Sequence, residues 1–155
     1  MYFIKRIKQY LIVLLFINLT ACGSYLKQND TALPDDGFSQ QIKPQQNTSS
    51  AVLALIKKAR ANAIAGDIDT AMIRLERAVR IEPSNSTVWH YMAKLFLQKE
   101  NYKQAAGYAA KSINLAANNK PLIIDNWRII AHARYRLGNT KGAHSAQEKI
   151  NKLQQ

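Results

Sequence analysis

A unit of 34 residues recurs through the last two-thirds of this sequence. Two columns of alanine mark it, and in each column the spacing is 34 and then 38 residues: Ala59, Ala93, Ala131 and Ala71, Ala105, Ala143. An insertion of four residues at 120–123 accounts for the longer second spacing. Units of this length fold as small groups of elements that bury their apolar faces only against their neighbours. The pattern therefore predicts a short solenoid of stacked repeats.

The alanine-rich segments between the turns have the amphipathic spacing of helices. Six helices are predicted, at roughly 51–64, 68–81, 86–99, 102–115, 122–136 and 140–153. Gly66 and Gly138 stand where first helices must end, and glycine readily takes the left-handed conformation that such turns need. The predicted fold class is all-α, with three antiparallel helix pairs in residues 51–155 and repeats at about 52–85, 86–119 and 124–155.

The pattern resembles the tetratricopeptide repeat over about 105 of the 155 residues. In the second copy the matching residues are Trp89, Met92, Ala93, Phe96, Tyr102, Ala105 and Ala109. The third copy is weaker, because Gln147 and Ile150 stand where the family prefers an aromatic residue and an alanine. The resemblance implies a protein-binding module whose first helices line a concave groove.

Groove positions carried over from the family give a candidate binding site. Its residues are Arg60, His90, Lys94, Leu97, Arg128, His132, Tyr135 and Arg136, with Leu53, Ile56, Ile64, Gln98 and Asp125 beside them. The groove would be apolar at its N-terminal end, and cationic with aromatic character at the other. Such a surface suits a peptide or protein segment with a hydrophobic anchor and acidic residues. The asparagines of the family's carboxylate clamp are absent, which argues against binding of chaperone tails.

The N-terminus has the layout of a secretory signal peptide, with three basic residues before position 9 and an apolar run at 11–19. The sequence Leu19-Thr20-Ala21-Cys22 resembles the bacterial lipoprotein processing site and contains the only cysteine. The resemblance implies that residues 1–21 are removed and that Cys22 carries the acyl chains of a membrane anchor. Neither Gly23 nor Ser24 is the aspartate that retains lipoproteins in the inner membrane, which favours the outer membrane facing the periplasm. A Gram-positive cell surface is the alternative address.

Residues 22–50 connect this anchor to the repeats. They are rich in Gln, Asn, Ser, Pro and Asp and show no sustained periodicity, which is the composition of a disordered linker. The linker would let the repeat domain move within a shell below the membrane.

The chain is strongly basic. Residues 1–21 hold three of the 22 basic residues and none of the ten acidic ones, so the remainder has 19 against 10, a net charge of +9. Such a charge often indicates nucleic-acid binding, but export argues against that partner. Lipid head groups, cell-wall carboxylates or an acidic protein surface are the alternatives, and a merely solubilising surface is equally compatible with the composition.

No sequence motif indicates catalysis. There is no glycine-rich phosphate loop, nucleophile elbow or HExxH. His90 and His132, with Asp125 nearby, form the one arrangement that would suit a metal or acid–base site, and isolated histidines on a helical groove are more often hydrogen-bonded surface groups. We expect a non-enzymatic protein without cofactor or metal.

Taken together, these features predict an outer-membrane-anchored periplasmic lipoprotein that presents a protein-binding module. Its plan is similar to that of the tetratricopeptide lipoproteins that activate bifunctional penicillin-binding proteins, so its partner would be a periplasmic or inner-membrane protein active in peptidoglycan synthesis. Pilus-assembly and protease-adaptor lipoproteins share the plan, and docking on cell-wall polymer or lipid head groups is a further alternative. The last helix ends the chain without a capping helix, and its apolar stripe (Ala143, Ala146, Ile150 and Leu153) predicts self-association through any part left exposed.

Overall fold

The computed structural model describes residues 42–155, which are helical except for the first eight residues and short turns. The helices are α1 (Ser50–Ile64), α2 (Ile68–Ile81), α3 (Ser86–Gln98), α4 (Tyr102–Leu115), α5 (Lys120–Arg136) and α6 (Thr140–Gln154). The all-α prediction is confirmed, and the bounds agree with the predicted ones to within two residues. The predicted signal peptide, Cys22 and the predicted linker as far as residue 41 lie outside the described residues.

Every helix begins at a side chain that caps its free backbone amides. The caps are Ser49, Asp67, Asn85, Asn101, Asn119 and Asn139, and each accepts a hydrogen bond from an amide of the first turn. The cap of the second helix in each pair recurs with the same spacings as the alanine columns, at Asp67, Asn101 and Asn139. Just before it, Gly66, Glu100 and Gly138 all have positive φ angles, of 82°, 55° and 76°, as the turn requires.

The four-residue insertion lengthens a helix rather than a loop. Asn119 caps α5 and lies 34 residues after Asn85, which caps α3. The added residues therefore form one more turn at the start of α5, which begins at Lys120 rather than at the predicted residue 122. Pro121 stands in that first turn, where its missing N–H breaks no helical hydrogen bond.

The alanine columns lie where the helices of a pair cross. Ala59, Ala93, Ala71 and Ala105 are fully buried, as expected for helices that approach closely. In the third repeat the same columns are only half-buried, because none of residues 42–155 packs on the far side of that pair.

The last helix buries most of its apolar stripe. Ala146 and Ile150 are buried, and Ala143 and Leu153 are half-buried. None of the helices in residues 42–155 is long and apolar enough to cross a membrane.

Candidate protein-binding groove

The first helices of the pairs, α1, α3 and α5, carry all eight candidate groove residues. The segment before α1, residues 42–49, lies along the N-terminal part of α3. The Gln45 amide donates to Thr87 Oγ1 at 3.1 Å, and Gln45 Oε1 accepts from both the amide and the hydroxyl of Ser86 at 2.9 Å. Farther along α3, burial raises the pKa of Tyr91, and the nearby Ile42 backbone opposes that shift. Residues 42–49, which we name the strap, therefore belong to the folded domain, although the predicted linker extended to residue 50.

The strap helps to bury α3 completely over most of its length. All ten residues from Ser86 to Leu95 are buried, so every face of this part of the helix is covered. Tyr91 packs beneath the Arg60 guanidinium, whose carbon lies 5.7 Å from the ring centre. The α3 part of the predicted groove is thus filled by the chain's own residues, whereas Leu53 and Ile64 on α1 stay exposed.

A buried ionic cluster joins α3 to α5 beside the strap. Lys94 Nζ lies 3.0 Å from Asp125 Oδ2, and His90 Nε2 lies 3.3 Å from the same oxygen. Arg128 approaches the other oxygen, Oδ1, at 3.7 Å from the solvent side. His90 is 0% exposed and Lys94 is 4% exposed. Asp125 therefore balances the one cation of this cluster that has left water, Lys94, and removal of either partner would leave the other charge buried and unpaired.

A directed chain of hydrogen bonds fixes the proton on His90. The Ser112 hydroxyl donates to the Ser86 carbonyl at 2.8 Å, and Asn126 Nδ2 donates to Ser112 Oγ at 2.8 Å and to the Leu122 carbonyl at 2.9 Å. Asn126 Oδ1 must then accept, so His90 Nδ1, 3.0 Å away, carries a hydrogen.

Burial determines the charge of this histidine. Burial first and then the Lys94 cation lower the pKa of His90 to about 4, while Asp125 and the hydrogen bond to Asn126 oppose the shift. His90 is therefore neutral at pH 7, with its proton on Nδ1.

The C-terminal half of the groove is open. Tyr135 is 62% exposed at the end of α5, and the side chains of Arg128 and Arg136 are each nearly half exposed. The Arg136 guanidinium lies over the Tyr102 ring, 4.7 Å from its centre. His132 lies beside the same ring, with centroids 6.1 Å apart, and its pKa is lowered by partial burial and then by Arg136. This half offers cations and aromatic rings to a partner.

Two solved structures resemble the helical domain described above. The globular C-terminal domain of LpoP from P. aeruginosa matches with a TM-score of 0.64 and 30% sequence identity, over 68% of this chain and 99% of that one. The chain belongs to the LpoP family. The N-terminal domain of stress-induced protein-1 (STI-1) from C. elegans matches with a TM-score of 0.59 and 15% identity, over 70% of this chain and 100% of that one, which shows the shared tetratricopeptide fold alone. No protein-family model matches the sequence, and none of the curated proteins matches it.

In this LpoP-family domain six of the eight candidate residues stay at least partly exposed and two are buried. Leu97, Arg128, His132, Tyr135 and Arg136 line the open half, Leu97 and His132 being half-buried. Arg60 is half-buried above Tyr91. Sequence reasoning placed His90 and Lys94 on the groove surface, whereas the structure buries both, because the strap and α5 cover α3. Whether the exposed residues bind a partner stays a prediction.

Sequence reasoning missed the hydrogen-bond chain through Asn126. The sequence contained one signal, because Asn126 is the repeat equivalent of Val88. A polar residue therefore replaces an apolar one at a position that is fully buried in both repeats. A polar residue in a column that packs between repeats must find buried partners.

The two histidines considered for catalysis do not meet. His90 lies beside Asp125, whereas His132 packs against Tyr102. Within residues 42–155 no three His, Cys, Asp or Glu side chains are grouped so that they could hold a metal ion.

Proposed function

We propose that this chain is an outer-membrane-anchored periplasmic lipoprotein that binds and activates a bifunctional penicillin-binding protein. The observation that carries the proposal is the match along 99% of the LpoP domain at 30% identity. The sequence plan supports it, since a lipid anchor, a spacer and a few repeats are the plan of tetratricopeptide lipoproteins that activate such synthases. A tetratricopeptide domain also favours a protein partner over a small molecule.

The mechanism would be tethering followed by recognition. The acyl chains on Cys22 would fix the protein at the membrane, and the residues between the anchor and the strap would set its reach. Because the strap is part of the domain, that spacer shrinks to residues 23–41, which extend at most about 65 Å. Tethering raises the effective concentration of the domain near a partner in the same envelope.

Recognition would use the open half of the groove. Arg128, Arg136 and Tyr135 are residue types that often dominate binding energy at protein interfaces. Leu97, half-buried on α3, supplies an apolar contact beside them. An acidic partner segment with one apolar anchor would complement this surface.

The test is direct addition to the proposed target. Full chain purified in detergent would be mixed with the bifunctional penicillin-binding protein of the same organism, and both binding and glycan-strand synthesis would be measured. We expect saturable binding and a several-fold rise in synthesis. Absence of binding at micromolar concentrations would overturn the proposal.

Salt separates this function from docking on cell-wall polymer or lipid head groups. Binding driven by charge alone should collapse between about 0.1 and 0.5 M salt. A groove with an apolar and aromatic contribution should retain a measurable part of its affinity.

The anchor has its own test. The Cys22→Ser chain should leave the membrane fraction or accumulate as an unprocessed precursor, because serine offers no thiol for lipidation. Recovery of processed, membrane-bound Cys22→Ser protein would show that lipidation at this residue does not anchor the chain.

Self-association through α6 also stays a prediction. The exposed side chains of this helix include His144, Gln147 and Asn151, and Gln147 Nε2 donates to Asn151 Oδ1 at 3.0 Å. The apolar area left for contact between copies is therefore small.

A further inference from the structure

The second repeat packs one of its faces against the first repeat. The equivalent face of the first repeat, which points away from the second repeat, is not covered by any of residues 42–155. Val88 and Met92 on α3 are buried against the first repeat, in one core cluster with Leu75 and Ala78 of α2. The residues 34 positions earlier, Ala54 and Lys58 on α1, are exposed, because none of residues 42–155 packs over them. This face, formed by α1 and α2, is the N-terminal edge of the described solenoid.

The edge contains a cleft of about 200 Å³ between the two helices. Ala51, Ala54 and Leu55 of α1 form its apolar part, with Ile81 of α2 opposite. Ile81 is 47% exposed, and Ile73, two turns earlier on α2, is 63% exposed. An exposed apolar side chain such as Ile81 at a cleft marks a place where a partner can pack.

The cleft exists because the first repeat lacks an aromatic filling that the second repeat has. In the second repeat Trp89 stacks on Tyr108 at 5.6 Å, and Lys111 Nζ lies 3.6 Å above the Trp89 ring. Leu55, Arg74 and Arg77 occupy the equivalent positions in the first repeat and leave the space open.

The charge of the cleft points to the nature of its occupant. Lys58, Arg74 and Arg77 all line it, and no carboxylate does. Arg74 Nε donates instead to the neutral amide oxygen of Asn62 at 2.8 Å. An occupant with an apolar stripe and flanking acids would therefore complement both the cleft and its cations.

Neither described end of the chain supplies this cover. No strap residue lines the cleft, and the strap's hydrogen bonds run to Glu82, Ser86 and Thr87. The opposite end of the solenoid differs in character, since α6 presents Lys141, His144 and Lys149 to solvent and would repel a basic cleft. A partner helix fits better than a second copy of this domain.

We propose that the α1–α2 edge docks an acidic amphipathic helix of a partner protein, in the place that the second helix of a preceding repeat would occupy. This surface is separate from the concave groove, so the chain has two protein-binding faces. The edge would hold a helix lying along the end of the stack, and the groove would hold a segment across its inner face.

A peptide copied from α2 provides the probe, because α2 packs against the equivalent face of the second repeat. The peptide has the sequence of residues 68–81 with Arg74→Glu, Arg77→Glu and Arg80→Glu, which keeps the apolar stripe and makes the peptide acidic. A peptide with the unchanged sequence is the control. Each would be titrated into isotopically labelled full chain in detergent micelles, with amide shifts followed by NMR.

We expect the acidic peptide to shift amides of α1 and α2 around Ala54, Lys58 and Arg77. The double variant Lys58→Glu/Arg77→Glu should lower its affinity at least tenfold, and Lys58→Gln/Arg77→Gln should give a smaller loss. The groove variant Arg128→Glu/Arg136→Glu should bind the peptide as the natural chain does, so this result is independent of the groove proposal.

Four results would overturn the proposal. These are no shifts at millimolar peptide, shifts confined to α3 and α5, equal affinity for the two peptides, and peptide binding that survives charge reversal at the edge. Concentration-dependent dimerisation without peptide that is lost in Lys58→Glu/Arg77→Glu would assign the edge to a second copy and would also contradict it.

Discussion

The two halves of the concave face are built from equivalent repeat positions, yet one is closed and the other open. His90 and Arg128 are equivalent residues, 38 positions apart, and the first is buried whereas the second is nearly half exposed. The strap and the Asp125 cluster close the N-terminal half. Nothing among residues 42–155 covers Tyr135 and Arg136 to the same degree. Repeat register therefore assigns a residue to a face, but contacts from outside the repeat decide whether that face is available.

The largest expected effect is loss of the carboxylate that holds the closed half together. Asp125→Ala removes the 3.0 Å partner of buried Lys94 and should destabilise the fold by about 3–5 kcal/mol. Arg128→Ala, which removes only the longer and exposed contact to the same carboxylate, should cost less than about 1 kcal/mol. Urea unfolding at pH 7 measures both. Equal losses would mean that the two halves are not distinguished by burial of charge.

Acid should weaken the closed half through His90. The unfolded chain takes up a proton near pH 6.5, whereas the folded chain keeps His90 neutral down to about pH 4. The unfolded state therefore binds more protons between these values, and stability falls as pH decreases through this window. The loss is on the order of 3 kcal/mol at most, and Lys94, Asp125 and Arg128 are the charged groups that surround the ring.

Urea unfolding between pH 7 and pH 4.5 checks this effect against a His90→Gln variant. The variant should lose less stability over the same range, because glutamine does not titrate. Identical pH profiles for the two proteins would show that His90 does not carry the dependence.

A smaller effect is expected from loosening the strap. Gln45→Ala removes the side-chain oxygen that accepts both the Ser86 amide and hydroxyl, and should cost about 1–2 kcal/mol. Gln46→Ala, in an exposed neighbour, is the matched control. Hydrogen exchange at the amides of Ser86 and Thr87 should accelerate in the first variant only. Unchanged exchange would mean that the strap does not close this half.

The repeat pattern predicted most of the fold because its signals are local. Alanine columns, capping residues and turn glycines act within one or two helical turns, so the positions of Ala93, Ala105 and Asn139 could be assigned without coordinates. The extra turn of α5 was placed less well, since an insertion before a helix and one within it have the same spacing.

The site was less predictable because its closure depends on distant contacts. Gln45 reaches Thr87 across 42 residues, and its segment has the composition of a linker. The hydrogen-bond chain from His90 through Asn126 joins three helices, and the identity of a single residue does not indicate its distant partner. Family positions therefore assigned the candidate residues to α1, α3 and α5, but could not show that His90 and Lys94 are buried.

The central claim is that recognition belongs to the open half. The most direct measurement is binding of the bifunctional penicillin-binding protein to full chain carrying Arg128→Glu/Arg136→Glu, compared with Lys141→Glu/Lys149→Glu, which reverses two exposed cations on α6. Both variants change the net charge equally, so nonspecific attraction is matched. We predict at least a tenfold loss of affinity for the groove variant, with cooperative unfolding retained well above the assay temperature, and little change for the α6 variant. Equal losses, or a loss for the α6 variant alone, would contradict the assignment of recognition to the open half.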